Sequence, residues 1–172
     1  MVSIGALWLP ILLSAILVFV VTFLLWMVSP HHRTDWSKLE DKGVMAALEQ
    51  AGLPQEGQYQ FNQGRGAVPG EHSGFLILFK SNMPKSLPLS LLQNVVISAA
   101  VAFVAARLLR PGIPFAEVFV PVAVMACLAY AAALPANSTW FGRSWSSTLK
   151  EMFDGIVYGL VTAAVFAWLW PS

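Results

Sequence analysis

The sequence predicts an all-α membrane protein: four transmembrane helices, with a small α+β module outside the membrane between the first two. Three observations carry this. The chain is 57% hydrophobic and only 11% charged, against about 25% charged in a typical soluble domain. Its charges gather between Arg33 and Lys85 and in short loops. Four apolar runs each come close to the roughly 20 helical residues that cross a hydrocarbon core of ~30 Å.

The first run, residues 4–28, holds no charged residue. It reads as a retained helix rather than a cleaved signal. No Lys or Arg precedes it, and it exceeds the usual signal core of about 7–15 residues. Ser29-Pro30-His31-His32 follows in place of a small-x-small site. Trp8 and Trp26 stand near its ends, where an indole prefers the headgroup level. Residues 29–86 form the polar module. Val44, Ala47, Leu48 and Ala51 recur at helical spacing, and Gly52 is a natural stop. Gln58 to Asn62 alternates weakly, and Gly74 to Lys80 reads as a short buried strand. Gln63 to Gly70 between them has loop chemistry. This helix plus hairpin is too small for a large core and is expected to rest on the membrane or a partner. The remaining runs are residues 87–109, 115–134 and 152–170. Lipid offers no partner for backbone groups, so these runs are helices. Pro121 lacks a backbone donor and should kink the third.

Four spans place Arg33, Lys38, Lys42, Arg65, Lys80, Lys85, Arg143 and Lys150 on one face, and Arg107 and Arg110 on the other. The positive-inside rule then puts the module in the cytoplasm and both termini outside. A net charge of +1 with no concentrated basic face argues against nucleic acid as a partner. The expected partners are membrane lipids and other integral membrane subunits. The single cysteine, Cys127, excludes an intrachain disulfide.

Small residues at Gly155, Gly159, Ala163 and Ala167 line one face of the fourth span, and Ser98, Ala102 and Ala106 extend a stripe from Asn94 in the second. Such stripes let helix backbones approach closely, so they are the candidate helix contacts. The candidate interfacial polar residues are Glu117, Asp154, His31 and His32. Glu117 is expected to pair with Arg107 or Arg110 across a tight turn, and Asp154 with Lys150 one helical turn away. No charge lies mid-span, which weakens transporter and channel readings. His31 and His32 read as solvated interfacial residues. A metal site built from them and a loop carboxylate has no supporting spacing. No Gly-x-Ser-x-Gly occurs, Cys127 lies in an apolar run, and Asn137-Ser138-Thr139 would face the cytoplasm as a chance glycosylation pattern. No catalytic, metal or cofactor residues are therefore assigned. Any lipid, quinone or pigment would be a contact rather than a cofactor of its own.

Several stretches together resemble a family of small bacterial inner-membrane proteins without assigned activity. They are the opening Met1 to Val20, His32-Arg-Thr-Asp-Trp-Ser-Lys-Leu39, Trp140 to Gly155, and Leu169-Trp-Pro171. The resemblance covers most of the chain, with a shorter Gln63–Gly70 stretch. It implies a bacterial inner-membrane location and four spans, and it supplies no catalytic residues. The expected function is a non-catalytic accessory subunit of a larger membrane complex, respiratory or photosynthetic. The alternative is a stand-alone membrane enzyme or transporter acting on a lipid or small molecule.

Overall fold

The computed structural model describes residues 2–37, 41–53 and 56–172. In chain order the elements are α1 (Ile4–Val28), α2 (Asp41–Gln50), β1 (Gly57–Phe61), β2 (Gly74–Leu78), α3 (Met83–Leu108), α4 (Phe115–Ala131), α5 (Pro135–Phe141) and α6 (Trp145–Trp168). Four helical segments are long and apolar enough to cross a membrane: α1, α3, α4 continued by α5, and α6. A two-stranded sheet accompanies them. Met1, Lys38 of the orientation count and Leu39 of the second resembling stretch lie outside the described residues, as does the Arg65 side chain.

Each spanning helix touches two others. α1 packs on α3, α3 on α4, α4 on α6, and α6 back on α1, with α4 against α6 the most extensive contact. The apolar core occupies one end of this ring. Leu7 of α1, Val101, Ala102 and Ala105 of α3, Val118 and Val122 of α4, and Ala163 and Phe166 of α6 close it. The chain's end ties down the same region. Trp170 Nε1 donates to the Arg110 carbonyl at 2.9 Å, and Gly112 N donates to the Pro171 carbonyl at 2.9 Å. Ser14, polar inside an apolar helix, donates to Ser98 Oγ on α3 at 3.0 Å, so neither hydroxyl is left unpaired.

The helices start where caps allow rather than where hydropathy rises. The second spanning helix begins at Met83, ahead of the apolar run at 87. The Asn82 side chain accepts from Lys85 N at 3.1 Å, and a proline sits in the first turn. The fourth begins at Trp145 rather than 152, because Ser144 Oγ accepts from Ser147 N at 3.2 Å. α4 runs on as one helix past Pro121.

The extramembrane module departs from expectation in one respect. β1 and β2 pair antiparallel with Tyr59 opposite Leu76 and Phe61 opposite Gly74, but β2 is not a buried strand. Ile77 is 60% exposed and Phe79, just beyond, 74%. The two-stranded sheet has no covering layer, and its ring contact to the bundle is Phe75 against Phe141 at 5.3 Å. α2 ends as its Gly52 predicts, at φ +70°, with Leu53 N closing back on the Leu48 carbonyl. Only Val44 and Leu48 among its described side chains are partly covered.

Candidate functional site

At the opposite end of the ring from the apolar core, polar side chains gather where α1 leaves the bundle and α6 begins. The final turn of α1, Leu24–Val28, is a π turn closed by Ser29 N on the Leu24 carbonyl at 2.9 Å. Such turns recur at functional sites because they re-aim the residues beside them. Ser29 Oγ then accepts from His31 N at 3.2 Å, and Pro30 opens a short helical turn that carries His31 and His32. Trp26 stacks flat on the His32 ring, with centroids 3.9 Å apart and planes 12° from parallel.

His32 is held between two carboxylates. Its Nδ1 lies 2.6 Å from Asp35 Oδ2 and its Nε2 lies 2.7 Å from Asp154 Oδ2. The three side chains are 6%, 1% and 2% exposed. Ionised carboxylates only accept, so this arrangement favours the imidazolium form of His32, in which both ring nitrogens donate. Burial alone would lower its pKa, but the hydrogen bonds and charges of Asp35 and Asp154 outweigh it and raise the pKa above the ordinary 6.5. Lys150 Nζ donates to Asp35 Oδ1 at 2.7 Å and to Thr34 Oγ1 at 2.8 Å. Burial pushes the Asp35 carboxyl upward, yet Lys150 and His32 together bring it below the ordinary 3.8. Asp35, His32, Asp154 and Lys150 thus form a charge-neutral buried network, which is the condition for tolerating ions away from water.

His31 completes the group. Its Nε2 stands 3.4 Å from Asp154 Oδ1, and neither atom has a hydrogen-bond partner. Beside Asp154 lies a cavity of about 200 Å³ bounded by all four spanning segments, with Thr22, Trp26, Asn94, Tyr130 and Tyr158 in its wall. Two more buried polar atoms there, Asn94 Nδ2 and Tyr158 Oη, make no hydrogen bond of good geometry among the described residues. Unpaired buried polar groups are costly, and a polar cavity of this size has room for water or a small polar group that would satisfy them.

The sequence-selected residues are distributed as follows. Asp154, His31 and His32 meet in the cluster. Lys150 does not pair with Asp154 in the way the helical spacing implied. It reaches across to Asp35 on the chain leaving α1, because Asp154 turns inward to His32. The reading of His32 as solvated fails for the same reason. Glu117 stands apart in the first turn of α4, and among the described residues it forms no ion pair with Arg107 or Arg110. The Arg107 guanidinium instead lies over the Phe103 ring at 4.7 Å. Gly155 and Gly159 face α4. A Cβ on Gly155 would sit 2.9 Å from Ala131 Cβ, and one on Gly159 2.6 Å from Cys127 N. Ala163, Ala167, Ser98, Ala102 and Ala106 are buried between helices. Asn137 lies in α5, whose Ser138 hydroxyl is used internally on Thr148 at 2.7 Å.

Sequence reasoning missed Asp35 and Lys150 as partners and the Asn94–Tyr130–Tyr158 lining. One signal was available. With four spans, the exit of the first helix and the entry of the fourth lie on the same side. The costly carboxylate at Asp154 therefore had His31, His32 and Asp35 within topological reach.

The fold and site define a class: a helical bundle with four helices long and apolar enough to cross a membrane, and a buried histidine–carboxylate cluster beside a polar cavity at one end. Comparison of the chain with family models, curated proteins and solved structures finds no match.

Proposed function

We propose that this chain is a non-catalytic accessory subunit of a larger membrane complex, in the bacterial inner membrane and serving respiration or photosynthesis. The observation that carries this reading is the uncovered module. From Arg33 to Leu89 no described residue is buried as a whole, yet Trp36, Phe61, Ile77 and Phe79 present large apolar surfaces. A two-stranded hairpin with both outer edges unpaired is marginal alone in water, and such surface marks an interaction site. Its Lys and Arg content supports a cytoplasmic placement, with both termini outside. The family resemblance supports the bacterial membrane. The test is purification from native membranes in mild detergent with identification of co-purifying chains. A stoichiometric integral partner is expected, lost on I77S/F79S substitution. Recovery of this chain alone under several mild detergents would overturn the reading.

A second reading, a stand-alone membrane protein acting on a lipid headgroup or small molecule, is favoured by the cavity whose wall includes Asp154 and the unpaired Asn94 and Tyr158 atoms. Asp154→Asn and Tyr158→Phe would then abolish an activity of the purified chain while leaving it folded.

A further inference from the structure

We propose that His31, His32 and Asp154 bind a divalent transition-metal ion, with Asp35 and Lys150 as positioning residues behind His32. Ligand atoms of these three side chains all lie within 4.8 Å of one another. Two imidazoles and one carboxylate are the mixed nitrogen–oxygen donor set that zinc and its first-row neighbours take. Four ligands at roughly 2.0–2.1 Å around a tetrahedral ion stand roughly 3.3 Å apart. His31 Nε2 and Asp154 Oδ1 are already 3.4 Å apart.

Two independent features point to a ligand rather than to a self-contained ion network. The Asp154 side chain is 2% exposed, and its Oδ1 has no hydrogen-bond partner. The nearest donor candidate, His31 Nε2, is equally unpartnered. A metal ion between them would satisfy both atoms at once. Behind the site, His32 Nδ1 meets Asp35 Oδ2 at 2.6 Å, and Asp35 is held in turn by Lys150. A carboxylate on the far nitrogen of a ligating histidine is the outer-shell arrangement that fixes its ring and raises its basicity.

The exchange balances. In the metal-free network a proton lies between His32 Nε2 and Asp154 Oδ2, which are 2.7 Å apart. The incoming ion takes that proton's place on His32 Nε2, the proton leaves to solvent, and the imidazole and carboxylate separate to the spacing of two ligands. His31, 28% exposed, is the most accessible of the three ligands and so the entry point. Asp154 also borders the cavity, so the fourth coordination position is available to water.

This inference does not depend on the accessory-subunit reading, because a metal clip between α1 and α6 serves either function. The test uses the full chain in detergent, produced without a polyhistidine tag, stripped with chelator and titrated with Zn²⁺ and, separately, Co²⁺. One Zn²⁺ per chain is expected, and Co²⁺ should show the visible bands of low-coordinate nitrogen–oxygen ligation. H31Q and D154N should each lose the stoichiometric binding. H31Q removes a ring that makes no hydrogen bond through Nε2, and D154N keeps the side chain's shape, so tryptophan fluorescence should report both as folded. D35N should weaken binding roughly 10–100-fold, as outer-shell changes do. H72Q, in the distant hairpin loop, should change nothing. The proposal is overturned if the unsubstituted protein binds no stoichiometric ion, or if folded H31Q and D154N bind as well as it does. A wild-type Co²⁺ spectrum of fully hydrated, six-coordinate ion would overturn it without reference to any variant.

Discussion

At the scale of single residues, Asp154 is a buried carboxylate held through one of its two oxygens. Its charge is tolerated because His32 donates to it and because Asp35 and Lys150 close the network to neutrality. Removing one partner of a buried ion pair costs about 3–5 kcal/mol, since the other is left uncompensated. Asp154→Ala should therefore lower the thermal midpoint of the detergent-solubilised protein well beyond the effect of an exposed change such as Glu49→Ala. Equal midpoints would contradict the network. The pH dependence of the chelated, metal-free protein follows from the two shifted groups. His32 has a raised pKa, so its contribution is complete below about 6.5 and disappears as pH rises through the folded value. Asp35 has a lowered pKa, so its contribution is present above about 3.8 and disappears as pH falls through the folded value. Stability should thus peak between these limits and decline on the alkaline side. His32→Gln should flatten the alkaline decline, as read from thermal midpoints across a pH series.

At the scale of elements, the α4–α6 contact depends on absent side chains. Gly159 lets the α4 backbone approach so closely that an added Cβ would fall 2.6 Å from Cys127 N and 2.8 Å from Cys127 Cα. Backbone cannot step aside as a flexible side chain can, so the helices must separate. Overpacking of this kind costs about 1–3 kcal/mol, occasionally more, and Gly159→Leu should cost at least that. Gly43 in α2 is the control, because a Cβ there meets nothing within 4 Å and its φ is not positive. Gly43→Ala should be neutral or raise stability by about 0.5–1 kcal/mol through helix propensity. A destabilised G43A beside an unaffected G159L would reverse the assignment of tight and open faces. The π turn that ends α1 has the matching role for the cluster, because it delivers His31 and His32 under the first turns of α6.

At the scale of the whole molecule, the bundle is divided lengthwise into unlike halves. Leucine, valine, alanine and phenylalanine close one end, while Asn94, Tyr130, Tyr158 and Asp154 surround a cavity at the other. The cavity end is also the end from which the polar module leaves and to which it returns. Topology can be read directly by single-cysteine labelling in a Cys127→Ser background. A cysteine at Gly66 should react with a membrane-impermeant thiol reagent only in inverted vesicles, and one at Gly112 only in intact cells. The opposite pattern would invert the orientation and carry the module outside.

Much of this was legible before folding. Span length and apolarity are local properties that the lipid solvent enforces residue by residue, so four helices follow from residues 4–28 and the three later runs. The small-residue stripes are visible as periodicity, and Gly52 and the Gln63 to Gly70 loop chemistry mark where α2 and β1 end. Strand burial in the hairpin was not legible, because a short apolar run such as Gly74 to Lys80 does not say whether a covering layer exists. Only the tertiary structure could join His32 to Asp154, since 122 positions of chain separate them. Their meeting depends on the order of helices around the ring, which places α1 beside α6. Lys150 has two acidic choices, Asp154 one turn away on its own helix and Asp35 across the interface. Which of them it takes is decided by where Asp154 must turn to meet His32. The sequence by itself determined four helices long and apolar enough to cross a membrane. The packing of α1 on α6 decided that its scattered histidines and carboxylates form one buried site, because only that contact removes them together from water.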